Sequence, residues 1–124
     1  MLNYFSEKVV IVTGGASGLG EALCRALAKC DAKVVIVADI NLKEAERVVT
    51  LIGDRAVASF LDVTDTSQMS AFIEKTKLTY GSLDFIFNNA GILISGELVD
   101  ITPSEWQNII AVNLSGVISG SLAA

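Results

Sequence analysis

The chain has 124 residues, 52% of them apolar and 19% charged, which suits one globular domain with one hydrophobic core and argues against disorder. Its nine basic residues are spread thinly and its net charge is −5, so the sequence offers no basic patch for nucleic acid or for an anionic membrane surface. The chain contains no histidine, which excludes a Ser-His-Asp triad and the His-bearing zinc sites, and no metal site is predicted.

Neither a targeting segment nor a membrane span is expected. Residues 1–8 have no basic start that leads into an apolar stretch, and the apolar run 34–38 is too short to cross a bilayer. Cys24 and Cys30 lie on one predicted helix at a spacing that puts them on different faces and out of disulfide geometry. We therefore expect two reduced core thiols in a cytoplasmic protein.

The first part of the chain alternates predicted strands and helices. A β-branched apolar run over 8–13 is typical of a strand buried on both faces, and over 18–29 the apolar spacing becomes helical. The strand pattern returns over 33–38. Asn41 then predicts the cap of a second helix, which ends at Gly53.

The alternation continues with a third predicted strand over 56–61. The next helix begins at Asp65, where Gln68 completes a pattern resembling a capping box, and it stops at Gly81. A fourth strand is predicted over 83–87. With right-handed crossovers, this order predicts an α/β fold whose parallel sheet is covered by helices on both faces, with the strand order 3-2-1-4.

The last predicted helix starts at Thr102, with Pro103 in its first turn and Glu105 able to reach back to the cap. Its apolar side chains and one asparagine fall on a single stripe that we expect to be buried. The stripe consists of Trp106, Ile109, Ile110, Asn113, Leu114, Val117 and Ile118. Gly116 and Gly120 either let a second helix approach closely or accommodate a local side chain.

A glycine-rich loop with glycines at positions 14, 18 and 20 stands where the first strand passes into the first helix. Glycines there allow a sharp turn and the close approach of a pyrophosphate, whose charge the amides and dipole of the helix N-terminus would stabilise. The alternative is a glycine-rich turn without a ligand.

Asp39 ends the second predicted strand about 20 residues after the loop, the distance at which an acidic residue binds the adenosine ribose of a dinucleotide. A carboxylate there would repel the extra phosphate of NADP. The next residue is Ile40 and the loop contains no basic residue, so the sequence favours NAD over NADP. The alternative for Asp39 alone is a solvated carboxylate at a helix entry.

The loop spacing resembles the T-G-x-x-x-G-x-G motif of the short-chain dehydrogenase/reductase family. Three further segments extend the resemblance in family order, namely Asp62-Val63, Asn88-Asn89-Ala90-Gly91 and Val112-Asn113-Leu114-Ser115-Gly116. The resemblance implies a Rossmann-type doubly wound parallel sheet. It also implies an NAD-dependent oxidoreductase that transfers a hydride between the cofactor and a small-molecule alcohol or carbonyl substrate.

The resemblance also implies which residues form the site. The implied cofactor-binding residues are Gly14, Ser17, Gly18, Leu19, Gly20, Asp39, Asp62, Val63, Asn89, Ala90 and Gly91. Asp62 would accept a hydrogen bond from the adenine amino group, or else serve only as a helix-entry acid. Asn113 is the implied catalytic residue, which anchors a water in a proton relay to a lysine. Its alternative is a core asparagine bonded to backbone.

The family transfers protons with a Ser, Tyr and Lys set that lies downstream of the asparagine. Both tyrosines of this chain, Tyr4 and Tyr80, lie upstream of Asn113, and Tyr80 is followed at the fourth position by Asp84. We therefore expect residues 1–124 to form the N-terminal, cofactor-binding half of a single-domain oxidoreductase, truncated after the fourth β-α unit and inactive alone. The alternative is a natural short form that binds a dinucleotide or a partner without catalysis.

The resemblance further implies that the last helix takes part in subunit pairing. We expect the full-length protein to be a homodimer or homotetramer. The substrate is left open, since the pocket that selects it lies largely outside these residues.

Overall fold

The computed structural model describes residues 3–124, in which four strands alternate with helices. The strands are β1 (Val9–Thr13), β2 (Val34–Asp39), β3 (Ala56–Phe60) and β4 (Phe85–Phe87). The helices are α1 (Gly18–Lys29), α2 (Leu42–Ile52), α3 (Thr66–Tyr80), α4 (Pro103–Ile110) and α5 (Gly116–Ala123). Each predicted strand and helix is present, with bounds that differ by a residue or two.

The four strands form one parallel sheet in the order β3-β2-β1-β4, as predicted. β1 lies between β2 and β4, and all five of its residues are buried. Val10 and Val12 face α1 and α2, while Val9 and Ile11 face α3 and α5. The sheet thus divides the single expected core into two layers, which confirms the doubly wound arrangement.

Side chains cap the helices largely as predicted. The Asn41 side chain accepts from the Glu44 amide, and Thr102 and Glu105 form a complete capping box. At α3 the Asp65 carboxylate accepts from the Gln68 amide at 2.9 Å. The Gln68 side chain, however, accepts from the Asp62 amide instead of the Asp65 amide, so the expected capping box is only half formed.

The two cysteines are free thiols in different surroundings. Cys24 is fully buried on α1, and burial raises the pKa of its thiol to about 12. Cys30, which was also expected in the core, is exposed at the C-terminal cap of α1, because its position on the helix turns it away from the sheet.

No helix within residues 3–124 is both long enough and apolar enough to cross a bilayer. Met1 and Leu2, which belong to the segment considered for targeting, lie outside the described residues.

The last helix differs from its prediction. α4 passes into α5 through a π-helical segment, Ala111–Ser115, a feature often found at functional sites. The stripe that was expected to be buried is in fact largely exposed. The exposed fractions are 46% for Trp106, 46% for Ile110, 56% for Leu114 and 50% for Ile118.

A face of small residues packs against the rest of the chain instead. Gly116 and Gly120 are buried. A Cβ on Gly116 would lie 2.9 Å from Cγ2 of Val63, and a Cβ on Gly120 would overlap Oδ1 of Asn88. Because the helix can approach this closely only where no side chain intervenes, its large apolar residues face outward. The two glycines therefore accommodate side chains of their own chain, which is the second of the two alternatives that the sequence left open.

Candidate functional site

A cleft of about 550 Å³ lies at the carboxyl ends of the strands. It is lined by every residue that the sequence predicts for cofactor binding: Gly14, Ser17, Gly18, Leu19, Gly20, Asp39, Asp62, Val63, Asn89, Ala90 and Gly91. This is the edge at which open α/β sheets bind ligands. Asn113, the implied catalytic residue, is not part of the lining but contacts it through Ile92.

The glycines of the loop are required by close packing at two positions. Gly14 has φ +65°, and a Cβ there would lie 2.8 Å from Cα of Ala90. A Cβ on Gly20 would overlap the carbonyl oxygen of Gly14. Gly18 has φ +53°, but a Cβ there would meet nothing within 4 Å. The loop is thus tightly packed at Gly14 and Gly20 and open at Gly18.

Thr13 joins the glycine loop to the segment that follows β4. Its hydroxyl accepts from the amides of Asn89 and Ala90, both at 3.0 Å, and donates to the Phe87 carbonyl at 3.3 Å. The Asn89 side chain in turn donates to the carbonyls of Thr13 and Gly14 at 3.0 and 3.2 Å. Thr13 begins the T-G-x-x-x-G-x-G motif but was not among the predicted site residues, although a hydroxyl residue at the end of an apolar buried strand could have indicated this role.

The Asp39 carboxylate binds two backbone amides, one in the glycine loop and one just after β2. One carboxylate oxygen accepts from the Ala16 amide in the glycine loop at 3.1 Å, and the other accepts from the Asn41 amide at 2.9 Å. Each oxygen has a further lone pair, so the carboxylate can still accept from a ligand hydroxyl in the cleft.

Asp62 is fixed by its neighbours at the end of β3. Its Oδ1 accepts from the amide and the hydroxyl of Thr64, at 2.9 and 2.7 Å. Its own amide donates to Gln68 Oε1 at 2.5 Å, so α3 helps to orient the residue. Gln68 was predicted as part of a helix cap, and its contact with Asp62 was not expected.

Asn113 lies in the π-helical segment and binds the backbone of Ile92 twice. Its Nδ2 donates to the Ile92 carbonyl and its Oδ1 accepts from the Ile92 amide, both at 2.8 Å. The residue is exposed and not buried as expected. Its side chain therefore bonds to backbone, as the second interpretation held, and this pair ties the last helix to the chain just after Gly91.

Asn108 also lines the cleft and was not foreseen. It lies on α4, four positions before Val112, which lines the same cleft. Residues at that spacing share a helix face, so the position of Asn108 relative to the motif could have indicated it.

Tyr4 stands four positions before Lys8, a Y-x-x-x-K spacing that lies far upstream of the position at which the family has this motif. The pair precedes β1, and neither residue lines the cleft. The Tyr4 ring packs edge-on against Phe5, and Lys8 forms an ion pair with Asp84 at 3.7 Å. The structure therefore keeps this pair apart from the site.

Comparisons with known proteins place the chain in a family. Residues 8–124 match a family model described as short chain dehydrogenase. The chain is 41% identical over 113 residues to a 3-alpha-(or 20-beta)-hydroxysteroid dehydrogenase of Mycobacterium tuberculosis, which covers 91% of this chain and 43% of that protein. It is 38% identical over 112 residues to a (+)-cis,trans-nepetalactol synthase of Nepeta racemosa, which covers 89% of this chain and 41% of that protein.

A solved structure agrees with these relatives. The 3-ketoacyl-(acyl-carrier-protein) reductase of Brucella melitensis, complexed with NADH, matches with a TM-score of 0.89 and 34% identity over 95% of this chain and 48% of that one. The chain thus spans less than half the length of these relatives. Given the family match over residues 8–124 and the matching Rossmann-like sheet, the chain belongs to the short-chain dehydrogenase family.

Proposed function

We propose that the whole protein is an NAD-dependent oxidoreductase that acts on a small-molecule alcohol or carbonyl, and that residues 1–124 form its cofactor-binding half. One observation carries this proposal: a single cleft unites the glycine loop, Asp39, Asp62 and the segment after β4. The relatives support it, since one is a hydroxysteroid dehydrogenase and another is a reductase complexed with NADH.

The start of α1 fits a pyrophosphate. The cap residue Ser17 has an extended backbone and makes no side-chain cap hydrogen bond within the described part of the chain. The first amides of the helix are therefore left to a ligand, and the helix dipole favours a negative one. Gly18 adds no side chain at this point, so an anion can approach the backbone.

The adenosine end fits residues on β2 and β3. Asp39 would accept from the ribose hydroxyls, and Asp62 would accept from the adenine amino group beside Val63. Ile40 is 63% exposed and also lines the cleft, so it offers an apolar surface to the purine. A bound nicotinamide supplies the hydride acceptor or donor. The proton-transfer residues expected for the family lie outside this half.

For Asn113 we propose a role in the proton relay that combines positioning and water binding. One donor and one acceptor of its side chain already hold Ile92, and each polar atom retains a second hydrogen-bonding site that a water can use. The residue also fixes the cleft wall after Gly91, because it bonds the next peptide.

We also propose that the full-length protein forms a homodimer or homotetramer. The apolar residues Trp106, Ile110, Leu114 and Ile118 are about half exposed in this chain and lie along the last helix. Exposed apolar surface of this kind is typical of interfaces. The proposed pairing surface is therefore this stripe and not the glycine face.

Replacing Asp39 tests the cofactor assignment. Asp39→Ala removes a charged acceptor, so we expect NAD affinity to fall by about 10-fold or more while NADP affinity falls less, because the carboxylate no longer repels the extra phosphate. Calorimetric titration of both cofactors measures this. Asp39→Asn keeps one side-chain oxygen that can accept a hydrogen bond from the Ala16 amide or the Asn41 amide. Asp54→Ala, a substitution at an exposed position, is the control. Equal losses of NAD and NADP affinity would contradict the role of Asp39.

A further inference from the structure

Arg47 connects α2 to the start of α1 through a cluster of short contacts. Its Nη2 lies 2.8 Å from Glu21 Oε2 and its Nη1 lies 3.3 Å from Glu21 Oε1, so the two side chains meet in a bidentate pair. Its Nε donates to Glu44 at 2.8 Å. Arg47 Nη2 also donates to the carbonyl of Ala16 at 3.3 Å. A single guanidinium therefore reaches two helices and the glycine loop.

Arg47 and Asp39 bind the two backbone polar groups of the same residue, Ala16. The Ala16 amide donates to the Asp39 carboxylate at 3.1 Å, while the Ala16 carbonyl accepts from Arg47. Ala16 is buried in the middle of the glycine loop. The peptide groups on either side of Ala16 determine the direction of the backbone amides that follow in the loop. Since Asp39 binds one of these peptide groups and Arg47 binds the other, the two charged side chains together fix the conformation of the loop.

Glu21 creates an electrostatic problem that Arg47 relieves. It lies in the first turn of α1, the turn in which the pyrophosphate would bind. An acidic residue there stabilises the helix through its dipole, but an uncompensated carboxylate would repel a phosphate. The Arg47 hydrogen bond lowers the pKa of Glu21, so the group remains ionised.

We propose that Arg47 is a positioning residue for the pyrophosphate. It neutralises Glu21 and holds the Ala16 carbonyl, and it does so from outside the cleft, whose lining does not include it. The inference rests on the proposed binding of NAD. Since Glu21 and Glu44 both engage the guanidinium, Arg47 is committed to this role and is not free to bind a ribose phosphate.

The test is a double-mutant cycle on the full-length protein with NADH as the probe. We expect Arg47→Gln to weaken NADH binding by about 10-fold, because Glu21 then keeps only the more distant Arg25, at 3.8 Å, as a counter-charge. Adding Glu21→Gln should restore affinity to within about 3-fold of wild type, and Arg47→Lys should retain most of it. A purely structural role predicts no recovery, since the double variant loses the same contacts.

Two further measurements separate charge from structure. The defect of Arg47→Gln should shrink as salt rises, because the repulsion between Glu21 and the phosphates is screened. Adenosine, which has no phosphate, should bind Arg47→Gln about as well as wild type. Arg25→Gln is the matched control, since Arg25 lies 3.8 Å from the same Glu21 but makes no hydrogen bond to Ala16 among the described contacts.

The outcomes are distinguishable. If wild type does not bind NADH, the proposed function fails. If wild type binds but Arg47→Gln is unchanged, or the double variant is no better than Arg47→Gln, the Arg47 inference fails alone. If Arg47→Gln does not fold, Glu21→Gln decides: tighter NADH binding supports the inference, and unchanged or weaker binding overturns it.

Discussion

The central strand β1 and the edge strand β4 are both predominantly apolar in sequence but differ in burial. All five residues of β1 are buried, whereas the three residues of β4 are half-buried and the large residues of the last helix are half-exposed. β1 has a paired strand on each side, while β4 pairs with β1 alone among the described strands. An apolar pattern therefore identifies the element, but neighbours on both sides decide how far it is buried.

Truncation of two paired isoleucines is expected to show the difference in burial between β1 and β4 most clearly. Ile11 in β1 and Ile86 in β4 are direct register partners and face the same core layer. Ile11 is fully buried and Ile86 only partly, so we expect Ile11→Ala to lower the free energy of unfolding by about 3–4 kcal/mol and Ile86→Ala by about half as much. Urea unfolding followed by circular dichroism measures both, and equal losses would show that the edge is as tightly packed as the centre.

The last helix has a packed glycine face and an exposed apolar face, which two substitutions distinguish. Gly120→Ala places a Cβ against Asn88, so we expect a loss of about 1–3 kcal/mol although alanine is the better helix former. Leu122→Ala, two positions away and exposed, should change stability by less than about 0.5 kcal/mol. Thermal unfolding of both variants provides the measurement. A stabilising Gly120→Ala would mean that the glycine face does not pack as described.

The smallest expected effect is chemical and leaves stability unchanged. Cys30 is exposed, whereas burial holds the pKa of Cys24 at about 12. Because the thiolate is the nucleophile and the raised pKa keeps Cys24 protonated below about pH 12, iodoacetamide at pH 8 should modify Cys30 and spare Cys24. Peptide mass mapping reads this out, with unfolded protein as the control in which both react. Modification of Cys24 in the native protein at the rate of Cys30 would contradict its burial.

Most of the fold could be predicted because its signals are local. The β-branched runs, the caps at Asn41 and Thr102 and the glycine stops depend on residues close together in sequence. Many members of the cleft were identified through the motifs that carry the family resemblance, and these motifs follow strands whose carboxyl ends meet at one edge of a parallel sheet.

The predictions that failed concern which way a helix face points and which distant residue a side chain contacts. The stripe through Trp106 and Ile118 was assigned to the core because apolar periodicity shows that a helix has two faces without showing which one meets the sheet. The role of Arg47 could not be predicted, because nothing in its local sequence shows that its side chain reaches Glu21 and Ala16. Gln68 was read as a cap because its partner Asp62 lies outside the helix.

The order of strands and helices and the parallel sheet follow from periodicity, capping and chirality, which can be read along the sequence, and the family motifs add the predicted residues at the carboxyl edge of the sheet. The tertiary structure alone decided that Asp39 and Arg47 hold Ala16 from its two sides, that Asn113 binds Ile92, and that glycines rather than large side chains pack the last helix. These contacts join segments far apart in the chain. They depend on separations of a few ångströms between elements, which no local pattern of residues specifies.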